Sequence, residues 1–202
     1  AVGFVFRPIL EDLAKDAAKD WAGDMFKNSL KNVLHLPKKE PLEIAAGKAL
    51  KEFLELFQQE LQDADVADAT LPEYLTPLKL FLKNDAVKTA LGAPFQAECV
   101  ALDTRTLATV WNTPRISSHV TEFNAEPTAL QLKTLPPDFD WERVAKRYLR
   151  KVRAIRQENE DLRNLLDSQA LQEIAQTAAG IAPDFDVRKY RETLQETYGS
   201  LK

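Results

Sequence analysis

Residues 141–169 carry the clearest indication of the fold and read WERVAKRYLRKVRAIRQENEDLRNLLDSQ. A seam with alternating spacings of four and three residues runs through them: Trp141, Ala145, Tyr148, Val152, Ile155, Asn159, Leu162 and Leu166. This period is typical of a helix in a bundle or a coiled coil. Asn159 is the polar member of the seam, where a lone Asn can fix the register or the oligomeric state. The pattern predicts one long helix that associates with others, and an interaction role for Asn159.

Composition favours a soluble, mostly helical protein. The chain has 202 residues, enough for one large domain or two small ones, and only six glycines, fewer than a turn-rich strand fold needs. The net charge of −4 is mild, and Cys99, the only cysteine, cannot form an internal disulfide, which fits a reducing cytoplasm. No apolar run approaches the ~20 residues that span a bilayer.

Two long amphipathic helices are predicted before residue 64. The first begins near Pro8 and continues to about Leu34, with apolar residues at helical spacing on one face. The second covers about Pro41 to Asp63. The short link between these helices predicts an antiparallel hairpin.

Shorter elements follow up to residue 92. Thr70 and Glu73 have the spacing of a capping box, so a helix is expected to start there and reach about Lys83. Pro77 lies within it, which leaves either a kinked helix or a second short helix from Thr76. A further short helix is expected from Asp85, with Gly92 placed to end it.

The middle of the chain is the least regular. Residues 95–102 fit either one short strand or a packed linker, and Asp103 is expected to cap a short helix. Residues 113–137 contain four prolines and little pattern, which indicates a long irregular connection, either mobile or a boundary between two halves.

The tetrapeptide Pro-Asp-Phe-Asp occurs at 137–140 and again at 183–186. In each copy the last Asp can cap the helix that follows. The repeat is either an internal duplication or, as we favour, a common helix start used twice. With short helices near 170–178 and 186–198, the sequence predicts an all-α multi-helix bundle. We treat residues 1–202 as one helical domain, with 113–137 as a candidate sub-boundary.

The residue types used in catalysis are sparse. His35, His119 and Cys99 show no metal-ligand spacing, and Gly47-Lys48 lacks the rest of a phosphate-binding loop. The carboxylates Glu158, Glu160 and Asp161 fit a solvated helix face better than an acid–base pair. We therefore assign no catalytic, metal or cofactor residue, and we expect a non-enzymatic protein.

A basic run is the stronger candidate for a binding surface: Arg143, Lys146, Arg147, Arg150, Lys151, Arg153 and Arg156. Such a run could follow a phosphate backbone or an anionic membrane. The chain is acidic overall, however, so a solvated face or a docking surface for an acidic partner is favoured over nucleic-acid binding. Arg147, Arg150 and Arg153 are the interaction residues we select from it.

The apolar N-terminus gives a second hypothesis. Phe4 and Phe6 precede the first amphipathic helix. When several copies cluster, such an end could enter a membrane and perturb it. The favoured alternative is that these side chains cap the bundle core.

Several segments taken together carry a family resemblance. They are PILEDLAKDAAKD (8–20), EPLE (40–43), KALKEF (48–53), LGAPF (91–95), FDWERVAKRY (139–148), PDFD (183–186) and YGSLK (198–202). They resemble the N-terminal helical region of cyanobacterial NACHT-domain proteins, which are signal-transduction NTPases of the STAND class and relatives of the NLR immune receptors.

This resemblance implies a NACHT NTPase module after Lys202 in the parent protein. In such proteins the N-terminal domain is the output or adaptor part, and oligomerisation of the NTPase brings copies of it together. Many bacterial relatives act in antiphage defence, often by killing the infected cell. We therefore expect a cytoplasmic effector or adaptor that signals through proximity-driven association of helices, without a cofactor.

Overall fold

The computed structural model describes residues 3–12, 23–26, 40–96, 99–113, 133–164 and 166–167. Its helices are α1 (Arg7–Asp12), α2 (Glu40–Asp63), α3 (Leu75–Leu82), α4 (Asp85–Gly92), α5 (Thr104–Asn112) and α6 (Trp141–Glu158). Two 3-10 helices, Asp68–Tyr74 and Ala93–Phe95, complete these elements. Every regular element within the described ranges is helical, which confirms the all-α prediction.

Helices α2 and α6 form the most extensive helix pair of the described elements. On α2, Phe53 and Phe57 recur one turn apart, so that both point into the core. On α6 the buried residues lie on one face: Val144, Ala145, Tyr148, Leu149, Val152 and Ile155. The rings of Tyr148 and Phe53 lie nearly perpendicular to each other, at 85°, with 5.7 Å between their centroids.

An aromatic cluster fills the space between these helices. The Phe57 ring lies 5.1–6.2 Å, centroid to centroid, from five others: Phe6, Phe53, Trp111, Phe139 and Trp141. Since these rings come from α2, α5 and the start of α6 as well as from the N-terminus, the cluster joins segments far apart in the sequence. Burial of such large rings is a main contribution to the stability of the fold.

The predicted second helix is confirmed, since α2 covers Glu40–Asp63. The first predicted helix is confirmed at its start, where α1 begins at Arg7, and residues 23–26 are helical as well. The rest of that prediction, at 13–22 and 27–34, lies outside the described residues, and so does most of the link in the proposed hairpin.

The predicted capping box at Thr70 and Glu73 is wrong. Both residues lie inside a 3-10 helix that contains Pro72 and has no side-chain cap. A proline lacks the N–H that a continuing helix would use, which favours the short, tightly wound turn seen here. The α-helix begins afresh at Leu75, close to the alternative start at Thr76.

Helix α4 ends at Gly92 as predicted, although the reason is different. Gly92 has φ −81° and ψ −27°, an ordinary helical conformation that any residue adopts. A Cβ added there would collide with the carbonyl oxygen of Met25. Glycine is therefore required by the close approach of another backbone, not by a left-handed turn.

The single long helix predicted over residues 141–169 is corrected by the structure. Helix α6 ends at Glu158, and Asn159 is extended, with φ −107° and ψ 99°. The Asn159 Oδ1 accepts a hydrogen bond of 2.9 Å from the backbone N–H of Leu162, which starts a separate helical segment at 160–164. Asn is among the best N-cap residues, because its side chain satisfies an otherwise unpaired N–H.

Helix α5 is capped as predicted, by Asp103, whose Oδ1 accepts a 3.0 Å hydrogen bond from Thr106 N. The described part of 95–102 contains no strand, which leaves the packed-linker alternative. Residues 114–132 of the predicted irregular connection lie outside the described ranges, as do 170–178 and 183–198.

The chain divides into two compact units, residues 1–162 and 163–202. Helices α1–α6 and both 3-10 helices belong to the first. Only residues 163–164 and 166–167 of the second are described, in helical conformation. The single domain over 1–202, with its sub-boundary at 113–137, stays a prediction.

Candidate interaction surface

Helix α6 starts at a well-formed cap. The Asp140 Oδ1 accepts hydrogen bonds from the backbone N–H groups of Glu142 and Arg143, at 2.8 and 3.2 Å. The preceding Phe139 packs its ring 5.1 Å from that of Phe57 on α2. The cap and the ring together fix where α6 begins relative to α2, and therefore which of its faces remain free.

One flank of α6 is tied to α2 by ion pairs. Arg143 Nη1 lies 3.2 Å from Glu60 Oε1, Arg147 Nη1 lies 3.6 Å from Asp63 Oδ2, and Lys151 Nζ lies 3.0 Å from Glu52 Oε2. The three basic residues are spaced by four, so they lie on one side of the helix. These three cations therefore pair with carboxylates of the same chain. They do not belong to the surface for an acidic partner that the basic run predicted.

Glu60 is a buried carboxylate at the contact between α2 and α6, and the sequence did not single it out. Its side chain is 1% exposed, and its Oε1 also accepts a 3.1 Å hydrogen bond from Asp140 N. The other oxygen, Oε2, has no hydrogen-bond partner. Its position three residues after Phe57, on the apolar stripe of α2, was the available signal for burial.

The outer face of α6 carries three exposed cations that we name the cationic ridge: Lys146, Arg150 and Arg153. They follow one another at spacings of four and three and share a face. Among the described residues none of them has a carboxylate partner. The Arg153 Nη2 donates a 3.2 Å hydrogen bond to the carbonyl oxygen of Cys99. Two of the predicted interaction residues, Arg150 and Arg153, thus lie together, whereas Arg147 faces α2.

The segment at Cys99 borders this ridge. Burial raises the pKa of the Cys99 thiol, although a backbone hydrogen bond with Ala101 and the nearby charge of Arg153 act in the opposite direction. A protonated thiol is a poor nucleophile, so Cys99 behaves as a packed residue. The next residue, Val100, is 81% exposed, an unusual degree for a large apolar side chain.

An exposed group of carboxylates directly follows the ridge, and we name it the acidic patch: Glu158, Glu160 and Asp161. None of the three is paired with a basic residue of the described chain. Asn159 lies within this patch, where it is half-buried. The capping role of Asn159 accounts for its position, and the proposed role in association remains a prediction.

The apolar N-terminus lies against the core. Phe6 is fully buried, and its ring makes a T-shaped contact with that of Phe57, with 6.2 Å between the centroids. Val5 N donates a 2.9 Å hydrogen bond to Gln58 Oε1, and Phe4 is half-buried. These contacts support the alternative in which the N-terminal side chains cap the bundle core, and they argue against a membrane-entering end.

No membrane-spanning candidate occurs among the helices of the described ranges. In the same ranges, no cluster of His, Cys, Asp and Glu has the geometry to hold a metal ion.

The groups with altered pKa values have structural explanations. Burial raises the pKa of Tyr148, whose hydroxyl donates a 2.9 Å hydrogen bond to the Leu91 carbonyl. Hydrogen bonds to Asp24 and Asp85 outweigh burial and raise the pKa of Lys88.

Comparison with known proteins agrees with the resemblance seen in the sequence. Residues 13–202 match the family described as NACHT N-terminal Helical domain 2. Neither the curated proteins nor the solved structures contain a match. The family match covers nearly the whole chain, including α2, α6 and the surfaces described above. The chain therefore belongs to the NACHT N-terminal Helical domain 2 family.

Proposed function

We propose that this chain is a non-enzymatic effector or adaptor module of a NACHT NTPase protein, working in the cytoplasm in bacterial antiphage defence. The observation that carries the proposal is the family match over residues 13–202. It is supported by the outer face of α6, where the exposed cations Lys146 and Arg150 have no carboxylate partner among the described residues.

The mechanism we propose is proximity. When the NTPase module of the parent protein oligomerises, it brings several copies of this helical module together. A short tether raises the local concentration to about millimolar, so a surface of weak affinity is enough to associate. Signalling then depends on clustering, and the isolated module stays inactive when dilute.

The test is to fuse the 202-residue chain to a domain that oligomerises on addition of a small ligand, and to express it in bacteria. We expect growth to stop after the ligand is added, with the membrane potential maintained. The matched control carries Phe57→Asp, which places a charge in the aromatic cluster and prevents folding. This variant should grow normally with and without ligand.

Two results would argue against this mechanism. Equal toxicity before and after the ligand is added would show that clustering is not the trigger. Immediate loss of membrane potential would point to membrane damage instead of association of helices.

If growth is unaffected, the chain acts as an adaptor and not as a toxic effector. This is tested by replacing the natural module with a Phe57→Asp copy in the parent protein. Loss of protection against phage is then expected.

A further inference from the structure

We propose that the cationic ridge is a docking site for an acidic helix of a partner protein, whose carboxylates pair with Lys146, Arg150 and Arg153. The inference rests on the proposed function, since it names the kind of partner that clustered modules recruit. The partner is defined by its chemistry. It carries carboxylates spaced over about two helical turns, with an apolar side chain beside them.

The ridge is the part of α6 that packing within the fold does not use. Three other cations of α6 pair with carboxylates of α2 along one flank. Half a turn around the helix from Lys151, Glu142 accepts a hydrogen bond from the Thr104 hydroxyl at the start of α5. The ridge lies between these two flanks, and Lys146 and Arg150 have no carboxylate partner among the described residues.

The spacing of the ridge matches that of a second helix. Lys146 and Arg153 are seven residues apart, so the cations extend about 10 Å along the axis of α6. Carboxylates at spacings of four and three also share one face of a helix, and can therefore meet the ridge one for one. An Arg guanidinium can bind a carboxylate through two parallel hydrogen bonds. Arg153 gives one N–H to the Cys99 carbonyl and keeps its others for a partner.

The charges around the ridge favour a slender partner over a large polyanion. The chain has a net charge of −4. Exposed Glu158 comes five residues after Arg153 on the same helix, about 8 Å along its axis, which is within the Debye length at physiological salt. A lipid bilayer or a DNA duplex extends well past the ridge, so its phosphates would also approach this carboxylate. A single acidic helix can follow the ridge alone.

An exposed apolar side chain beside the ridge gives the partner a second contact. The hydrogen bond from Arg153 to the Cys99 carbonyl places the residue before Val100 next to the ridge. Val100 is 81% exposed, and an apolar side chain of a partner helix would remove it from water. The phosphate backbone of a nucleic acid offers no such contact.

The expected affinity suits a module that responds to clustering. Ion pairs between exposed side chains are individually weak and are screened by salt, so one ridge alone holds its partner poorly. Clustered modules present several ridges together. A partner with more than one acidic helix then binds about 100-fold or more tightly through avidity, without any new contact. Recruitment therefore follows oligomerisation of the NTPase module.

A designed peptide tests the site directly. The probe is a capped, Ala-rich helical peptide of about 15 residues with three Glu at spacings of four and three and one Leu beside them. Amide chemical shifts of the isotope-labelled 202-residue chain are followed as the peptide is added at low salt. We expect changes confined to Val100 and the ridge, with a Kd of about 1 mM that rises with salt. A peptide with Gln in place of Glu should cause none.

Charge exchange identifies the cations that bind. The ridge variant, Lys146→Glu with Arg150→Glu, should bind the Glu peptide at least about tenfold more weakly, and should bind a peptide with Lys in place of Glu. The matched control is Lys48→Glu with Lys83→Glu, two exposed cations outside the ridge that change the net charge equally. It should bind like the unchanged chain. Both variants should keep the helical circular dichroism of the unchanged chain.

Three results in solution would overturn the inference. The first is the absence of shifts at the ridge with about 5 mM peptide. The second is equal binding of the Glu and Gln peptides, and the third is equal binding of the Glu peptide by the ridge variant. Binding to phosphatidylserine vesicles or to duplex DNA that displaces the peptide, and that is lost in the ridge variant, would assign the ridge to that ligand instead.

The clustered fusion separates this inference from the proposed function. The ridge variant should lose the growth effect, or the protection against phage, that clustering of the unchanged chain produces. A ridge variant that keeps these effects would overturn the docking site and leave the proposed function standing. If the unchanged chain shows neither effect while the peptide still binds its ridge, the proposed function fails and the docking site stands.

Discussion

Gly92 illustrates, at the scale of single residues, how a correct prediction can have the wrong reason. Its position after an apolar helical run predicts the end of a helix, and α4 does end there. In the structure, glycine is required at position 92 because the Met25 backbone approaches so closely that no side chain fits. A contact with a residue 67 positions earlier along the chain leaves no local signal, so the sequence could not reveal it.

Replacing Gly92 by Ala should therefore destabilise the fold, because the new methyl group forces two backbones apart. We expect a loss of about 1–3 kcal/mol in the free energy of unfolding. Gly47→Ala is the control, since Gly47 lies exposed within α2 with nothing near the added methyl. It should stabilise the helix by roughly 0.5–1 kcal/mol. Urea denaturation measures both, and a neutral Gly92→Ala would contradict the close approach.

Tyr148 gives a prediction for alkaline pH. Burial raises the pKa of its phenol above the ordinary value of 10.0, so the folded chain keeps it neutral where the unfolded chain ionises it. Its contribution to stability is complete below pH 10 and is lost as the pH rises further. Tyr148→Phe should lower stability at neutral pH by roughly 1 kcal/mol, through loss of the bond to Leu91.

The measurement is the free energy of unfolding of both proteins from neutral pH to about pH 11. The difference between them should shrink and then change sign as the pH passes 10, because only the unchanged chain has this phenol to ionise. A constant difference would show that the Tyr148 hydroxyl is accessible to water in the folded protein.

At the scale of elements, α2 and α6 are joined by two kinds of contact that differ in strength. Along the centre, Val152 and Tyr148 are fully buried against α2 and its neighbours. Along one flank, exposed cations pair with carboxylates, as Lys151 does with Glu52. Apolar burial is worth far more than a solvated ion pair, so the centre holds the pair together and the flank adjusts its register.

Neighbouring residues on α6 make this distinction testable. Val152→Ala should lower the free energy of unfolding by about 2 kcal/mol, because it leaves a cavity in the interface. Lys151→Ala should cost less than about 1 kcal/mol at low salt and nothing at high salt, since the ion pair is screened. Thermal unfolding at two salt concentrations separates them. Equal losses would mean that the ion pairs are essential to the helix pair.

Helix starts were predicted with mixed success: the Asp140 and Asp103 caps are present, whereas the capping box at Thr70 and Glu73 is not. The Asp140 and Asp103 caps act through their own sequence neighbours, so local pattern was sufficient. Asn159 was harder, because the apolar seam continues in phase on both sides of it and conceals the break. The position of Glu60 on the apolar stripe of α2 indicates its burial, but its partner Asp140 is 80 residues away, and no local pattern reports that contact.

The candidate surface was predictable only in part. The basic run indicated a charged face, and Arg150 and Arg153 do lie together on it. Which cations remain free depends on how α6 is rotated against α2, and that rotation is set by tertiary packing. For this reason the sequence placed Arg147 with the ridge, whereas it pairs with Asp63.

At the scale of the whole molecule, residues 1–162 form a compact unit that needs α6 to close its core. Without α6 the rings of Phe53 and Phe57 would lose Tyr148 and Trp141 and face water. A fragment of residues 1–162 should therefore unfold cooperatively, whereas one ending at residue 136 should keep helical signal but lose its fixed tertiary packing. Near-ultraviolet circular dichroism distinguishes them. Native packing in the shorter fragment would contradict this account.

The separation between the cations on α6 and the carboxylates that follow it in the chain also has a consequence for rates. Two copies that approach each other experience attraction only in orientations that bring unlike ends together, so long-range forces turn them before they touch. Exposed charges of this kind mainly accelerate encounter, and they have less effect on how long a complex lasts. Added salt should accordingly slow the assembly of clustered modules while leaving their dissociation nearly unchanged.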